Sequence, residues 1–553
     1  MNVITSIEKS LKDYLINNFH LPNNILNLNL NLNIDPNKQH FGDINTNFAL
    51  ILSKGLNLNP IELAKKIQEN VKSEFIDKIE VANPGFINIF LTLDAIKHLT
   101  LEIFEREDNF FKNNSLHPQN YNIEFVSANP TGPLHVGNGR GGIIGDVLAN
   151  ILTFLQNKVV KEYYINDAGS QIEKLGLSLK IRCLQQLDES IELPEDGYQG
   201  EYLIELAKQF IKDNPTLNNA GNLKEQDLGC FRIYAQDQIL RNIKHTLEDY
   251  KIYFDIWFSE KELHTNGSID CALKKLNEHD ALYENEGALW FKSTEFGDDK
   301  DRVVKKSTGE YTYAAADIAY MQNKLDRGFT RLIMILGQDH HGYVPRLKAI
   351  MQALGYKPEN LEVILYQLVA VKESGNLIRL SKRSGRLITL EDITKAVGAD
   401  VSRFFYLNKK ADAHLDFDLD LALKQTDENP VYYIQYAYVR ALSILNKAQE
   451  EFGIQAISKE DGNSITETEK VLIKKIVSLK NLLESISQNY QTHLLTYYVI
   501  ELAQYFHAYY GSNRVIDPAN KEKTRGRLLV IALLRRTFHL CFKLLGITAP
   551  EKM

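Results

Sequence analysis

Two short stretches carry residue types suited to handling phosphate. In the first, His135-Val136-Gly137-Asn138-Gly139-Arg140-Gly141-Gly142 follows the Pro/Gly-rich string Asn129-Pro130-Thr131-Gly132-Pro133. A strand-like run, Tyr121 to Val126, precedes it, and Ile144, Val147, Leu148, Ile151 and Leu155 recur at helical spacing after it. Glycines at such a junction let the backbone approach a nucleotide, and the helix N-terminus beyond them favours an anion. His135 adds a side-chain donor. In the second stretch, Ser381-Lys382-Arg383-Ser384-Gly385 comes after a tight turn, Glu373-Ser374-Gly375-Asn376. That pattern suits a cationic loop closing on a leaving group, with Lys382 as the main point charge. Each stretch alone also fits a blander account: ordinary loops contain His-x-Gly, and exposed loops are often basic.

Such residues need a scaffold. The first strand, the loop, the helix and a further strand candidate, Val159 to Ile165, form a βαβ unit whose crossover should be right-handed within a parallel sheet. Arg331 to Leu336 and Glu362 to Val371 read as further strands of the same sheet. Gly337-Gln338-Asp339-His340 then falls at a strand end, where ligands gather in open α/β sheets. Between the two sets, about 188–282 reads as a largely helical insertion. Ahead of the core, Leu28, Leu30, Leu32 and Ile34 alternate with polar residues as a half-buried strand does, and Phe86 to Leu91 repeats that period. From about Asp418 onward, helical runs dominate. The expected division is therefore an N-terminal α/β domain over 1–115, a doubly wound parallel-sheet, Rossmann-like α/β core over 116–417, and an all-helical bundle over 418–553.

A chain of 553 residues is too long for one ordinary core. Its 44% hydrophobic and 24% charged content excludes a disordered or fibrous protein, and the formal charge of -7 argues against nonspecific coating of nucleic acid. Cys183, Cys230, Cys271 and Cys541 never form a CxxC pair, so inert thiols in a reducing compartment are expected. The start carries charges where a signal peptide needs an apolar run, and no stretch stays apolar for the length of a bilayer span. A cytoplasmic location is the default expectation, with no membrane partner. His340 and His341 form a bare pair without further ligands, so no metal is assigned.

Together the two stretches resemble the HIGH and KMSKS motifs of class I aminoacyl-tRNA synthetases, separated and ordered as in that family. The longer string from Ser127 to Asp146 resembles the arginyl members in particular. One departure stands out: the first motif normally ends in His, and here it ends in Asn138, which keeps an amide donor but cannot carry positive charge. The resemblance implies that His135, Asn138 and Lys382 serve catalysis, and that Pro133, His135, Gly137, Asn138, Ser381, Lys382 and Arg383 hold ATP, which enters as a substrate with Mg2+. It further implies that Glu124 and Asp317 face the guanidinium of L-arginine, with Asn129, Tyr313 and Gln338 around the rest of that substrate. Spacing adds only that Tyr313 and Asp317, four apart, would share a helix face.

The likeness covers nearly the whole chain. Phe41-Gly42-Asp43-Ile44-Asn45 and Asn83-Pro84-Gly85-Phe86 resemble the family's extra N-terminal domain, which contacts the corner of tRNA(Arg). Asn429-Pro430-Val431-Tyr432 resembles the opening of its anticodon-binding domain. Tyr509 and Arg514, late in that domain, are candidates for tRNA contact, since aromatic and cationic groups stack on unpaired bases. With 27 Tyr and 25 Phe in the chain, most aromatic residues must nevertheless be core. The family leans to monomers, and its members often need bound tRNA before they activate arginine. Two alternatives compete: a class I synthetase for another amino acid, and a noncatalytic RNA-binding paralogue suggested by Asn138.

Overall fold

The computed structural model describes residues 3–21, 28, 30–112, 118–188, 190–378, 388–454 and 457–553. Its centre is a five-stranded sheet of β1 (Asn120–Phe125), β2 (Lys158–Ile165), β3 (Ile256–Ser259), β4 (Arg331–Gly337) and β5 (Leu361–Tyr366). The spatial order is β5-β4-β1-β2-β3, and every neighbouring pair is parallel. From β1 the chain winds outward through β2 and β3, then returns to the other side of β1 with β4. The strand order thus reverses between β1 and β4, which opens a crevice at their carboxyl ends.

The helices around the sheet are α1 (Val136–Phe154), α2 (Ser170–Gln185), α3 (Leu228–Asp249), α4 (Tyr313–Asp326), α5 (Tyr343–Ala353), α6 (Leu390–Val397) and α7 (Ala399–Leu407). Helix α1 runs through the middle of the molecule, and its glycines are packing devices. A Cβ on Gly141 would sit 2.6 Å from the Tyr366 ring, and one on Gly145 would lie 2.6 Å from Phe125 Cδ1. Without side chains at those positions, α1 lies directly on the aromatic rings of the sheet.

The strand expected over Glu362 to Val371 is two strands. After β5 the chain breaks at Gln367, and Val369–Glu373 joins a separate three-stranded sheet with Asn376–Leu377 and Leu415–Asp418. The cause is the fully buried Arg140, which donates to Gln367 O at 2.9 Å, Ala413 O at 2.7 Å and Lys410 O at 2.8 Å. Gln367 also spends its own N–H on Ala411 O. The stretch expected to be a helical insertion is likewise shorter than its sequence pattern suggests. Helices Tyr202–Asp213, Ala220–Glu225 and α3 fill it, but β3 returns to the central sheet.

The N-terminal part is a four-stranded antiparallel sheet, Asn31–Leu32, Ile44–Thr46, Phe86–Leu91 and Ile76–Ala82 in spatial order, packed with helices. The alternating run near residue 30 forms strand only at Asn31–Leu32; residue 29 lies outside the described residues. The C-terminal part is helical: α8 (Pro430–Phe452), α9 (Lys470–Asn489), α10 (His493–Ser512) and α11 (Lys521–Leu545). No helix among the described residues is long and apolar enough to cross a membrane.

Candidate active site

The crevice between β1 and β4 is bounded by α1, the loop after β1, and α4. His135 is the N-cap of α1, and its geometry explains the residue that departs from the motif. Its backbone N–H donates to Asn138 Oδ1 at 3.0 Å, while its Nδ1 accepts the Gly137 N–H at 3.0 Å. Asn138 thus closes a capping box by placing a side-chain acceptor at the third helical position. Because Nδ1 accepts, the neutral imidazole carries its proton on Nε2. The Gly137 amide, expected to face phosphate, is already engaged in holding this ring. A Cβ at Gly137 would press on His135 Cε1 at 2.9 Å, so glycine is required here by close approach.

The loop Val126 to Pro133 crosses from β1 to α1. Asn129 is exposed and donates to Gln171 Oε1 at 2.9 Å. Pro133 lines a small cavity of about 50 Å³ with Tyr202, Leu206, Ile239 and Asn242. Ser381, Lys382 and Arg383 lie outside the described residues. The segment after them is placed: Leu390 N–H donates to Leu134 O at 2.8 Å, and Thr389 forms an antiparallel bridge with His135. The chain therefore returns from the second motif directly onto the first.

On the other side of the crevice, α4 presents Tyr313 and Asp317 one turn apart. Tyr313 is exposed, with its hydroxyl 3.3 Å from where a Gly169 Cβ would stand. Gln338 is half-buried just past β4. Glu124, at the end of β1, already holds the fully buried Lys324 at 2.6 Å and accepts from Ser127 Oγ at 3.3 Å. Below it, Glu162 takes both arms of Arg327 (2.6 and 3.0 Å), the Tyr320 hydroxyl (2.5 Å) and Asn122 (3.0 Å). Burial alone would raise Glu162, but Lys324, Arg327 and Tyr320 outweigh it and hold the carboxyl low.

Asp317 differs from both. Among the described residues, no side chain hydrogen-bonds its carboxylate. Burial pushes it up to about 7; Arg346 opposes this, while the nearby charges of Glu260 and Glu124 add to it. Glu260, 3% exposed at the end of β3, is itself raised by burial despite the Tyr164 hydroxyl and His264. Three carboxylates therefore converge at the carboxyl end of the sheet, with Lys324 ion-paired to Glu124 below them, Arg346 near Asp317 and His264 beside Glu260. A planar cation would satisfy the surplus. Sequence reasoning missed Glu260 because β3 is only four residues long and lay inside the stretch read as helical insertion. Placing that strand would have put Glu260 at a strand end, as with Glu124.

In the helical bundle, the tRNA-contact expectation for Tyr509 needs correction. Its ring is buried at 7% exposure, and its hydroxyl donates to Glu469 at 2.9 Å, so it packs helices and presents no face. Arg514 is exposed. The outward aromatic surface lies on α8 and α10. There Tyr436 stacks on His507 at 5.9 Å, and Arg440 lies 5.3 Å from the Tyr436 ring and 5.5 Å from Tyr510. Among the described residues, no group of three or more His, Cys, Asp or Glu is placed to hold a metal ion.

Comparison with known proteins agrees with this layout along the chain. Residues 2–91 match the family model of the arginyl tRNA synthetase N terminal domain, 102–411 that of the tRNA synthetases class I (R) catalytic domain, and 434–553 that of the DALR anticodon binding domain. The arginine--tRNA ligase of Oceanobacillus iheyensis is 40% identical over 100% of both chains. That of Bacillus subtilis is 40% identical over 94% of this chain and 93% of its own. Among solved structures, Thermus thermophilus arginyl-tRNA synthetase superposes with a TM-score of 0.73 at 21% identity, covering 99% of this chain and 100% of that one, a likeness of fold. With a catalytic model over the crevice and full-length relatives at this identity, the chain belongs to the arginyl-tRNA synthetase family.

Proposed function

We propose that this chain activates L-arginine with ATP to arginyl-adenylate, and passes the arginyl group to the 3′-terminal adenosine of tRNA(Arg), releasing AMP and diphosphate. What supports this reading is the convergence of Asp317, Glu260 and Glu124 at the carboxyl end of the sheet, in the same crevice as the His135 cap of α1. Asp317 and Glu260 take the guanidinium, with Glu124 fixed beneath them by Lys324. Asn129, Tyr313 and Gln338 lie around the same opening and take the remainder of the amino acid.

The arginine carboxylate is ionised at neutral pH, so its attack on the α-phosphorus needs no general base. What the reaction needs is donors for the charge that builds on the phosphate oxygens. His135 Nε2–H supplies one, backed by the N-terminus of α1. Lys382, with Ser381 and Arg383, stabilises the departing diphosphate; the Thr389–His135 bridge supports this by bringing the end of their loop to the first motif. Mg2+ would come with the ATP phosphates and screen their charge. Asn138 acts on His135 by capping it, and Pro133 and Gly137 fit the nucleotide side of the loop.

For tRNA, exposed Tyr436 and Tyr510 with half-buried Arg440 between them form a surface suited to stacking on unpaired anticodon bases, with exposed Arg514 placed to meet phosphate. Phe41 and Phe86, each 41% exposed, are the corresponding groups of the N-terminal domain. We further propose domain divisions near 115 and 417, a monomeric enzyme and a cytoplasmic location. Pyrophosphate exchange with each amino acid, with and without tRNA, tests the function. Exchange is expected with arginine alone, and tRNA should enhance or be required for it. Exchange supported by a different amino acid, or none even with tRNA, would overturn the reading.

A further inference from the structure

The loop from Val126 to Pro133 does not hold its shape through its own backbone preferences. Val126 and Ser127 sit at φ 66° and 41°, a region costly for any residue with a side chain and most for a β-branched one. Beside the Tyr164 N–H donated to Ser127 Oγ at 3.1 Å, three ties from outside secure the stretch from Ala128 to Thr131. The Tyr163 hydroxyl on β2 donates to Ala128 O at 2.7 Å, Asn129 donates to Gln171 on α2 at 2.9 Å, and the Tyr202 hydroxyl donates to Thr131 O. The third comes from the inserted helical segment.

Tyr202 is seated for that contact. A Cβ on Gly132 would touch its ring at 3.4 Å, and one on Gly200 would collide with it. Its helix, Tyr202–Asp213, buries Leu203, Ala207 and Phe210, and Phe210 packs 4.7 Å from Phe231 of α3. The turn before it is tied to α2 by Tyr198 N–H on Ser178 Oγ at 3.0 Å and Arg182 on Gln199 O at 3.1 Å. A rigid support thus ends in one hydroxyl aimed at the loop between the proposed arginine and ATP contacts.

We propose that Tyr202 is a positioning residue for adenylate formation, and that the inserted helical segment is a brace for the loop carrying Asn129, Pro133 and His135. This deepens the proposed function and rests on it. The test is Tyr202→Phe, which keeps the ring and its packing and removes the hydroxyl, beside Leu479→Ala, which thins the buried core of the helical bundle outside the braced segment. Wild-type exchange with arginine is measured first, so an error in the assigned function shows there as absent activity. In Tyr202→Phe, KM for ATP should rise about fivefold to tenfold, the scale of one lost hydrogen bond. Active-site concentration, thermal midpoint and tRNA binding by gel shift should stay near wild type. Leu479→Ala should lower the thermal midpoint and leave KM for ATP unchanged. Wild-type KM in Tyr202→Phe, or an equal rise in Leu479→Ala, overturns the brace.

Discussion

Asp317 shows how an acid can be prepared for a cation. With its carboxyl raised to about 7, Asp317 is largely protonated in mildly acidic solution. A guanidinium binds the ionised form, so arginine binding must expel that proton. Affinity should therefore be flat above about pH 7 and fall by up to about tenfold per pH unit below it. Calorimetric titration of arginine at pH 6 and pH 8, in buffers of different ionisation enthalpy, checks both the slope and the proton release. Asp317→Asn should remove the pH dependence and weaken arginine binding by about 30-fold or more, the cost of a buried charge-assisted pair, while ATP binding stays close to wild type. The same shift works against the fold: an acid raised above its unfolded value supports stability below that value and loses it as pH rises through 7. Asp317 and Tyr313 were legible in the sequence from four-residue spacing once the family was suspected. Glu260 was not, and Tyr509 was misjudged, because exposure of a tyrosine depends on which neighbouring helix covers it.

Helix α1 shows the same division at the scale of an element. Its apolar spacing, with Ile144, Val147, Leu148 and Ile151 all buried, was readable from sequence alone. Its glycines read as nucleotide-loop residues, yet Gly141 and Gly145 lie against sheet aromatics. Gly145→Ala decides between two effects of opposite sign. Alanine favours a helix over glycine by about 1 kcal/mol, but a methyl group 2.6 Å from Phe125 Cδ1 has no room. Overpacking of that kind costs about 1–3 kcal/mol, so the variant should be less stable by up to about 2 kcal/mol in urea denaturation. A stabilised variant would show that α1 can lift from the sheet. The split of the expected strand from Glu362 to Val371 belongs here too. No local pattern announces a break caused by a guanidinium 227 positions earlier in the chain.

Across the whole molecule, Arg403 joins parts that the sequence leaves separate. Fully buried on α7, it donates to Leu545 O at the end of α11 (2.8 Å), to Tyr250 O beyond α3 (2.6 Å) and to Asp146 of α1 (2.5 Å). Gly546 is needed beside it, since a Cβ there would lie 2.5 Å from Arg403 Cζ. The last helix of the bundle is thereby fixed to the helix that begins at His135. Arg403→Met should lose about 2–4 kcal/mol, because two carbonyls lose their buried donor and Asp146 keeps only Lys161 and Asn150. Denaturant unfolding followed by tryptophan fluorescence measures it; a loss under about 1 kcal/mol would show that the helical bundle is held chiefly by its apolar contacts.

Several features were determined by sequence alone: the order of an α/β segment, a parallel-sheet core and a helical bundle, and the family. These follow from local periodicity and from residues close together in the chain. The tertiary structure decided which carboxylates face one another, that Asn138 completes the His135 cap, and that Tyr202 and Arg403 tie distant segments to α1. Each depends on burial and on partners far away in sequence, such as Glu124 with Lys324 200 positions on. A side chain's charge and exposure are set by what folds over it, and periodicity carries no record of that neighbour.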